Sequence, residues 1–231
     1  MRLKNLNVPN KLVAATVDGI VGDTTFHLAN FRLLCDQLAA KDAQLRGILA
    51  SHGYPPMWTR SATFATLIHI ILEQQVSLAS AKAAFLKLKE KLGRITPGRL
   101  IMLSDKEMRD CYFSRQKMLY ARELAKALLS RQLNLRKLAF MPDEEIRKAL
   151  TRIKGVGNWT VDVYLMFALQ RTDIFPIGDL AMLNAFHDIK SDSRTLSREK
   201  ILAIAEAWRP YRSIATMLLW HHYIQKKGIR I

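Results

Sequence analysis

Residues 152–170 read RIKGVGNWTVDVYLMFALQ, and they put a tight corner, Gly155-Val156-Gly157, between two helical runs. The run EEIRKALTRI leads into the corner and WTVDVYLMFALQ restarts directly after it. A helix that restarts this abruptly exposes backbone amides that have no partner inside it. Together with the positive end of the helix dipole, those amides make a site for a phosphate. Gly155 and Gly157 are expected to let backbone approach the phosphate closely and to adopt positive φ without a side-chain penalty. Such a contact grips a nucleic-acid backbone and reads no base. Taken alone, a Gly-x-Gly between helices is most often an ordinary turn, so the surrounding sequence has to decide.

The rest of the chain reads helical as well. ATFATLIHIILEQQV places Phe64, Leu67, Ile68, Ile71 and Leu72 at helical spacing with no glycine or proline inside. LASAKAAFLKLKEKL follows and stops at Gly93. Ser104 and Glu107 fit a capping box. SRQKMLYARELAKALL starts after a turn at Tyr112-Phe113-Ser114. Pro142-Asp143 opens the helix that enters the corner, with Glu144 and Glu145 in its first turn, where the dipole favours acids. DLAMLNAFHDI and SREKILAIAEAWRPYRSIATMLLWHHYI, broken at Pro210, complete the pattern, and LANFRLLCDQLAAKDAQLRGIL adds at least one helix near the start. No fixed-period repeat, low-complexity tract or flexible linker interrupts it. The expected class is all-α.

Charge narrows the partner. Lys plus Arg is 36 against 20 acidic residues, a net +16, which favours a polyanion. No stretch approaches the roughly 18 uninterrupted apolar residues of a membrane span, and MRLKNLNVPNKLVAATVDG lacks a signal-peptide pattern. An intracellular protein is expected. Cys35 and Cys111 are too few for a zinc or iron–sulfur site, and the six histidines form no HExxH pair, so no metal centre is expected.

IKGVGNWT followed by an apolar helix, a proline-containing loop and Asp179 resembles the helix-hairpin-helix plus Gly/Pro-Asp signature of base-excision DNA glycosylases. ILEQQVSLASA, FSRQKMLYARELA and WRPYRSIATMLLW resemble the alkylated-base branch, the 3-methyladenine DNA glycosylase II type, in the same order. The resemblance covers about residues 40–225. It implies two closely joined helical lobes with the active-site cleft between them. Residues of about 60–185 form the central lobe, with the hairpin at 143–170, and about 1–60 plus 186–231 form the second. Geometry allows the pieces to meet. A helix from Trp159 to Gln170 is about 18 Å long, and Arg171 to Gly178 can span up to roughly 26 Å, enough to return Asp179 to the hairpin.

The resemblance implies a monofunctional glycosylase that flips an alkylated base out of damaged double-stranded DNA and hydrolyses its N-glycosidic bond. It further implies a monomer that needs no cofactor and works in the nucleoid or nucleus. Asp179 takes the catalytic position, stabilising an oxocarbenium-like transition state and orienting water. It also stands at an N-cap, facing free amides and the helix dipole, so electrostatic stabilisation is weighted above general-base work. As an isolated aspartate it would be read as a plain cap. Asp162 and Asp173, the competitors, are read as structural. Strand-cutting relatives carry a lysine nucleophile where this chain has Trp159, and Lys154 does not match that position.

Gly155, Gly157, Asn158 and Thr160 take the phosphate-binding positions, and the hairpin carbonyls near Ile153 and Gly155 leave room for a monovalent cation. Trp159, Trp220 and Tyr164 take the base pocket, where aromatic faces attract a cationic base; Trp208 is read as ordinary core. The turn Phe113-Ser114-Arg115 takes the wedge region, with Tyr112 where the family usually has glycine. Either Phe113 or Arg115 fills the gap, and burial of Phe113 in the core is an equal reading. Gln74 and Gln75 are read chiefly as architecture. Two alternatives stay open: a glycosylase for a deaminated or oxidised purine, and a helix-hairpin-helix DNA-binding protein without chemistry.

Overall fold

The computed structural model describes residues 24–190 and 196–229; the amino-terminal segment inspected for a signal peptide lies outside them. Among the described residues the chain is helical throughout. It has no strand, only an isolated antiparallel bridge between Thr25 and Arg171. No helix among them is long and apolar enough to cross a membrane.

The first helices are α1 (Phe31–Lys41) and α2 (Ala43–His52). They divide at Asp42, whose carboxylate accepts the Gln44 and Leu45 amides and starts α2 afresh. α3 (Phe64–Glu73) begins on Thr63, and α4 (Leu78–Leu92) begins on Ser77 and ends at Gly93. α5 (Pro97–Ile101) and α6 (Asp105–Asp110) are short; α6 carries the expected capping box of Ser104 and Glu107. α7 (Arg115–Leu129) and α8 (Leu135–Leu138) lead to α9 (Asp143–Thr151) and α10 (Asn158–Phe167), the arms of the hairpin. α11 (Leu180–Ile189), α12 (Arg198–Ala205), a 3-10 turn at Glu206–Trp208 and α13 (Arg212–Lys227) follow. α5 and α8 give no periodic signal because neither completes two turns.

Two helices organise the packing. α3 lies against α4, α7 and α10, while α13 lies against α1, α2 and α11. Leu67, Ile68, Ile70 and Ile71 of α3 and Ile214, Ala215, Met217, Leu218 and Leu219 of α13 are fully buried. Each of the fully buried leucines, isoleucines and Met217 contributes roughly 1.5–3 kcal/mol. Trp208 is core, as read from the sequence, with its indole N–H donating to Asp42 Oδ2 at 2.9 Å.

The loop from α10 to α11 crosses from the α3 group to the α13 group and is stitched down on the way. Asp173 accepts Arg209 at 2.7 Å and Arg212 at 2.8 and 3.0 Å, and Ser213 Oγ accepts the Ile174 amide at 2.9 Å. Asp173 is thus the structural aspartate it was read to be, and its pairing delivers Asp179 to the junction of α10, α11 and α13.

Candidate active site

The hairpin is braced from three sides. Across it, the Arg147 guanidinium of α9 donates to Asp162 at 2.6 Å and to Asn158 at 3.2 Å, both on α10. Burial pushes the Asp162 carboxyl up and the Arg147 hydrogen bond pulls it back. Asp162 therefore works as a strut. From α3, the Gln74 side-chain amide donates to the Gly155 carbonyl and to Thr160 Oγ1, both at 2.9 Å. From α7, the Tyr120 ring lies flat against Gly155, so close that a Cβ there would sit 2.0 Å from the ring.

Gly155 adopts φ +91°, the left-handed backbone expected of it. Gly157 does not. Its φ is −92° with ψ 177°, an extended N-cap that many residues could adopt, and a Cβ there would meet only open space. Glycine matters at 155 for the turn and at 157 for bare backbone facing outward. No side chain caps α10, so the amides of its first turn remain for an external anion. Asn158 is exposed there, with its carbonyl oxygen turned to Arg147.

Thr160 requires a correction. Its side chain is buried against Gln74, so only its backbone amide can address a phosphate. The Ile153 carbonyl accepts the Val156 amide at 3.0 Å and the Gly155 carbonyl accepts Gln74. Each keeps a second lone pair. Among the described residues no three His, Cys, Asp or Glu side chains gather as a metal site.

Asp179 caps α11 through Oδ1, which accepts the Met182 amide at 2.8 Å. The same oxygen accepts the Trp220 indole N–H at 2.8 Å, and Oδ2 accepts the Trp159 indole N–H, also at 2.8 Å. Three of the carboxylate's roughly four lone-pair directions are filled, and the open one is on Oδ2. Asp179 keeps 8% exposure. Trp159 is the second residue of α10, so one indole joins the carboxylate to the uncapped start of that helix. Trp220 packs on Phe167 at 5.5 Å between ring centroids.

One further expectation changes, and one open reading is decided. Tyr164 has no exposed surface and points into the core between helices, and burial pushes its hydroxyl up to about 12. It lines no open cleft. Phe113 is also buried, at 4% exposure, while Tyr112 before it stands out at 64%. Ser114 is occupied as the N-cap of α7, accepting the Lys117 amide, and Arg115 is exposed at the helix start. Sequence reasoning missed the bracing by Arg147 and the indole hydrogen bonds to Asp179. A helix-period reading sees tryptophans only as faces.

Residues 68–210, more than half of the chain, match the model of the HhH-GPD superfamily base excision DNA repair proteins. DNA-3-methyladenine glycosylase 1 of Schizosaccharomyces pombe is 30% identical over 161 residues, 68% of this chain and 71% of its own length. The Bacillus subtilis protein YfjP is 29% identical over 185 residues, 76% of this chain; the chain spans 64% of that relative's length. The solved structure of S. pombe 3-methyladenine DNA glycosylase Mag1 with abasic DNA matches with a TM-score of 0.76 at 25% identity, covering 84% of this chain and 97% of Mag1. With the hairpin, the loop and the capped aspartate in place and the family model spanning all three, this chain belongs to the HhH-GPD superfamily of base excision DNA repair proteins.

Proposed function

We propose that this protein is a monofunctional DNA glycosylase that flips alkylated bases such as 3-methyladenine out of double-stranded DNA and hydrolyses their N-glycosidic bonds. The observation that carries the proposal is Asp179, whose two oxygens are held by the Trp159 and Trp220 indoles beside an uncapped helix start. The relatives named for 3-methyladenine supply the substrate class.

The hairpin amides and the +16 charge hold the duplex by its backbone. A monovalent cation on the Ile153 and Gly155 carbonyls would add a full charge to that grip. The target nucleotide rotates out at a cost of a few kcal/mol. As the C1′–N bond breaks, its electron pair leaves with the base. An alkylated purine already carries the positive charge this neutralises, so it departs without an added proton.

The sugar takes up positive charge, and the nearly buried Asp179 carboxylate stabilises it. Water then bonds to C1′ and releases its proton to solvent. The one open lone pair on Oδ2 serves to orient that water. No amine occupies position 159, so no Schiff base forms there and the product is an intact strand with an abasic site. The grip works on any DNA in the cell, and the protein acts there as a monomer.

Base release from methylated DNA, with borohydride trapping in parallel, tests this. Free methylated purine with no trapped covalent complex is the expected result. A trapped complex would overturn the monofunctional assignment, and no released base would overturn the enzyme.

A further inference from the structure

Two hollows of about 460 and 590 Å³ open side by side around Phe64 and Pro97. One lies where the starts of α3 and α5 meet the end of α4, the other where the end of α7 meets α8, and together they form a groove. Its floor is apolar, built from Phe64, Phe85, Ile95, Pro97, Leu133 and Leu135. Its rim is cationic. Lys89 and Arg94 line one hollow, Arg131 and Arg136 line the other, and all four are exposed.

No acid lines the groove. The acids on α3, α4, α5, α7 and α8 are Glu73, Glu90 and Glu123, and each is taken up elsewhere, by Arg60 at 2.6 Å, Lys87 at 3.3 Å and Lys126 at 2.9 Å. The four rim cations are therefore unopposed, and a cluster of like charge relaxes when an anion settles in it. Arg131 also holds left-handed backbone, φ +60°, where glycine or asparagine costs least. A long cation kept at a strained position is a pointer to function.

The groove lies away from the DNA grip. α3 carries about 15 Å from Phe64 in the groove to Gln74, which holds Gly155. α7 carries about 12 Å from Leu128 in the groove to Tyr120, whose ring backs Gly155. A duplex presents phosphates to cations and has nothing to fill an apolar floor. Phe64 is 6% exposed and the His69 ring covers Phe85 at 4.2 Å between centroids, so little ring face is left for single-stranded bases to stack on.

We propose that this groove docks an acidic peptide segment of a partner protein. Its carboxylates meet Lys89, Arg94, Arg131 and Arg136, and one or two of its apolar side chains fill the hollows. This surface is separate from Asp179, and the docking stands whether or not the glycosylase reading does.

The test selects random peptides of about twelve residues on the full protein at about 0.15 M salt, where charges more than roughly 8 Å apart are largely screened. Saturating duplex DNA is present throughout, so the DNA-binding face is covered. The expected peptides place aspartates or glutamates beside apolar or aromatic residues. Their binding should fall roughly ten-fold or more on the double variant Arg94→Glu, Arg131→Glu. That variant should melt and bind duplex as wild type does, since both side chains are exposed. Lys200→Glu, at an exposed position of α12, should leave peptide binding unchanged. Serine in place of the peptide's apolar residues should weaken it by a similar factor. Selection that yields no acidic peptide, equal binding by plain oligoglutamate, or peptides indifferent to Arg94 and Arg131 would overturn the proposal. Duplex that loses affinity for the double variant as steeply as the peptides do would assign the groove to nucleic acid instead.

Discussion

The Trp220 indole nitrogen donates to Asp179 Oδ1 across 2.8 Å, from a helix 41 residues further along the chain. Trp159 holds the other oxygen from the hairpin side. The carboxylate's orientation therefore depends on α10 and α13 together, and a change in either helix reaches it through a hydrogen bond.

Asp179→Asn tests the charge. The Asn carbonyl oxygen can keep the Met182 and Trp220 bonds, which turns its NH2 toward the Trp159 N–H, donor against donor. Loss of the charge facing the transition state should lower base release by about 10²–10³-fold. Binding of undamaged DNA should hold, because the grip is backbone on α10. Wild-type release rates from this variant would end the catalytic assignment of Asp179.

Trp159→Phe and Trp220→Phe each keep a ring and delete one N–H donor to Asp179. A hydrogen bond to a charged group contributes about 1.5–3 kcal/mol, so each variant should lose roughly ten-fold or more in kcat with a smaller change in KM. Single-turnover base release separates the two quantities. If KM rises while kcat is unchanged, the indoles act on the base and not on the carboxylate.

The all-helical class, the left-handed Gly155 and the N-cap at Asp179 were legible because each rests on local chemistry: an uninterrupted helical period, a glycine at φ +91°, a carboxylate before a helix; the roles given to the hairpin and to Asp179 came from the resemblance. What was not legible depends on which way a side chain turns once helices pack. Thr160 and Asn158 sit two residues apart at the start of α10, yet one faces Gln74 in the interior and the other faces outward. Tyr164 follows the same logic, because α10 is covered by α3 and α9 over most of its length. Phe113 took the buried one of its two readings because the left-handed helix end at Tyr112, φ +63°, turns it inward. Gly157 was expected to need positive φ and instead needs only bare backbone. No single-sequence periodicity contains the Arg147 strut, which spans two helices on either side of a turn.

The two glycines should behave differently. Gly155→Ala combines left-handed strain with a Cβ 2.0 Å from the Tyr120 ring, and about 2–4 kcal/mol of stability should be lost. Gly157→Ala meets neither problem and should melt as wild type does. Gly157→Leu should also fold, yet weaken binding to all DNA sequences by covering the amides of α10. Thermal melts beside salt-dependent binding isotherms check both. Equal stability of the Gly155→Ala and Gly157→Ala variants would remove the distinction drawn between them.

The helix that carries Trp220 is tied directly after it by histidines. His222 donates to Asp188 on α11 at 2.6 Å, His52 of α2 lies 3.1 Å from His222, and His221 meets the His52 carbonyl at 3.0 Å. Lys226 also bonds to Asp188. Partial burial, with His222 and His221 beside it, lowers the His52 pKa below its ordinary 6.5. The folded state then binds fewer protons than the unfolded chain, so this contribution is full above 6.5 and declines as pH falls through the folded value. The melting temperature should drop as pH is lowered from about 7.5 to 5.5. His52→Gln, which can still donate to His222 and carries no titrating proton, should show a shallower drop. Identical slopes for the two proteins would place the acid sensitivity elsewhere in the fold.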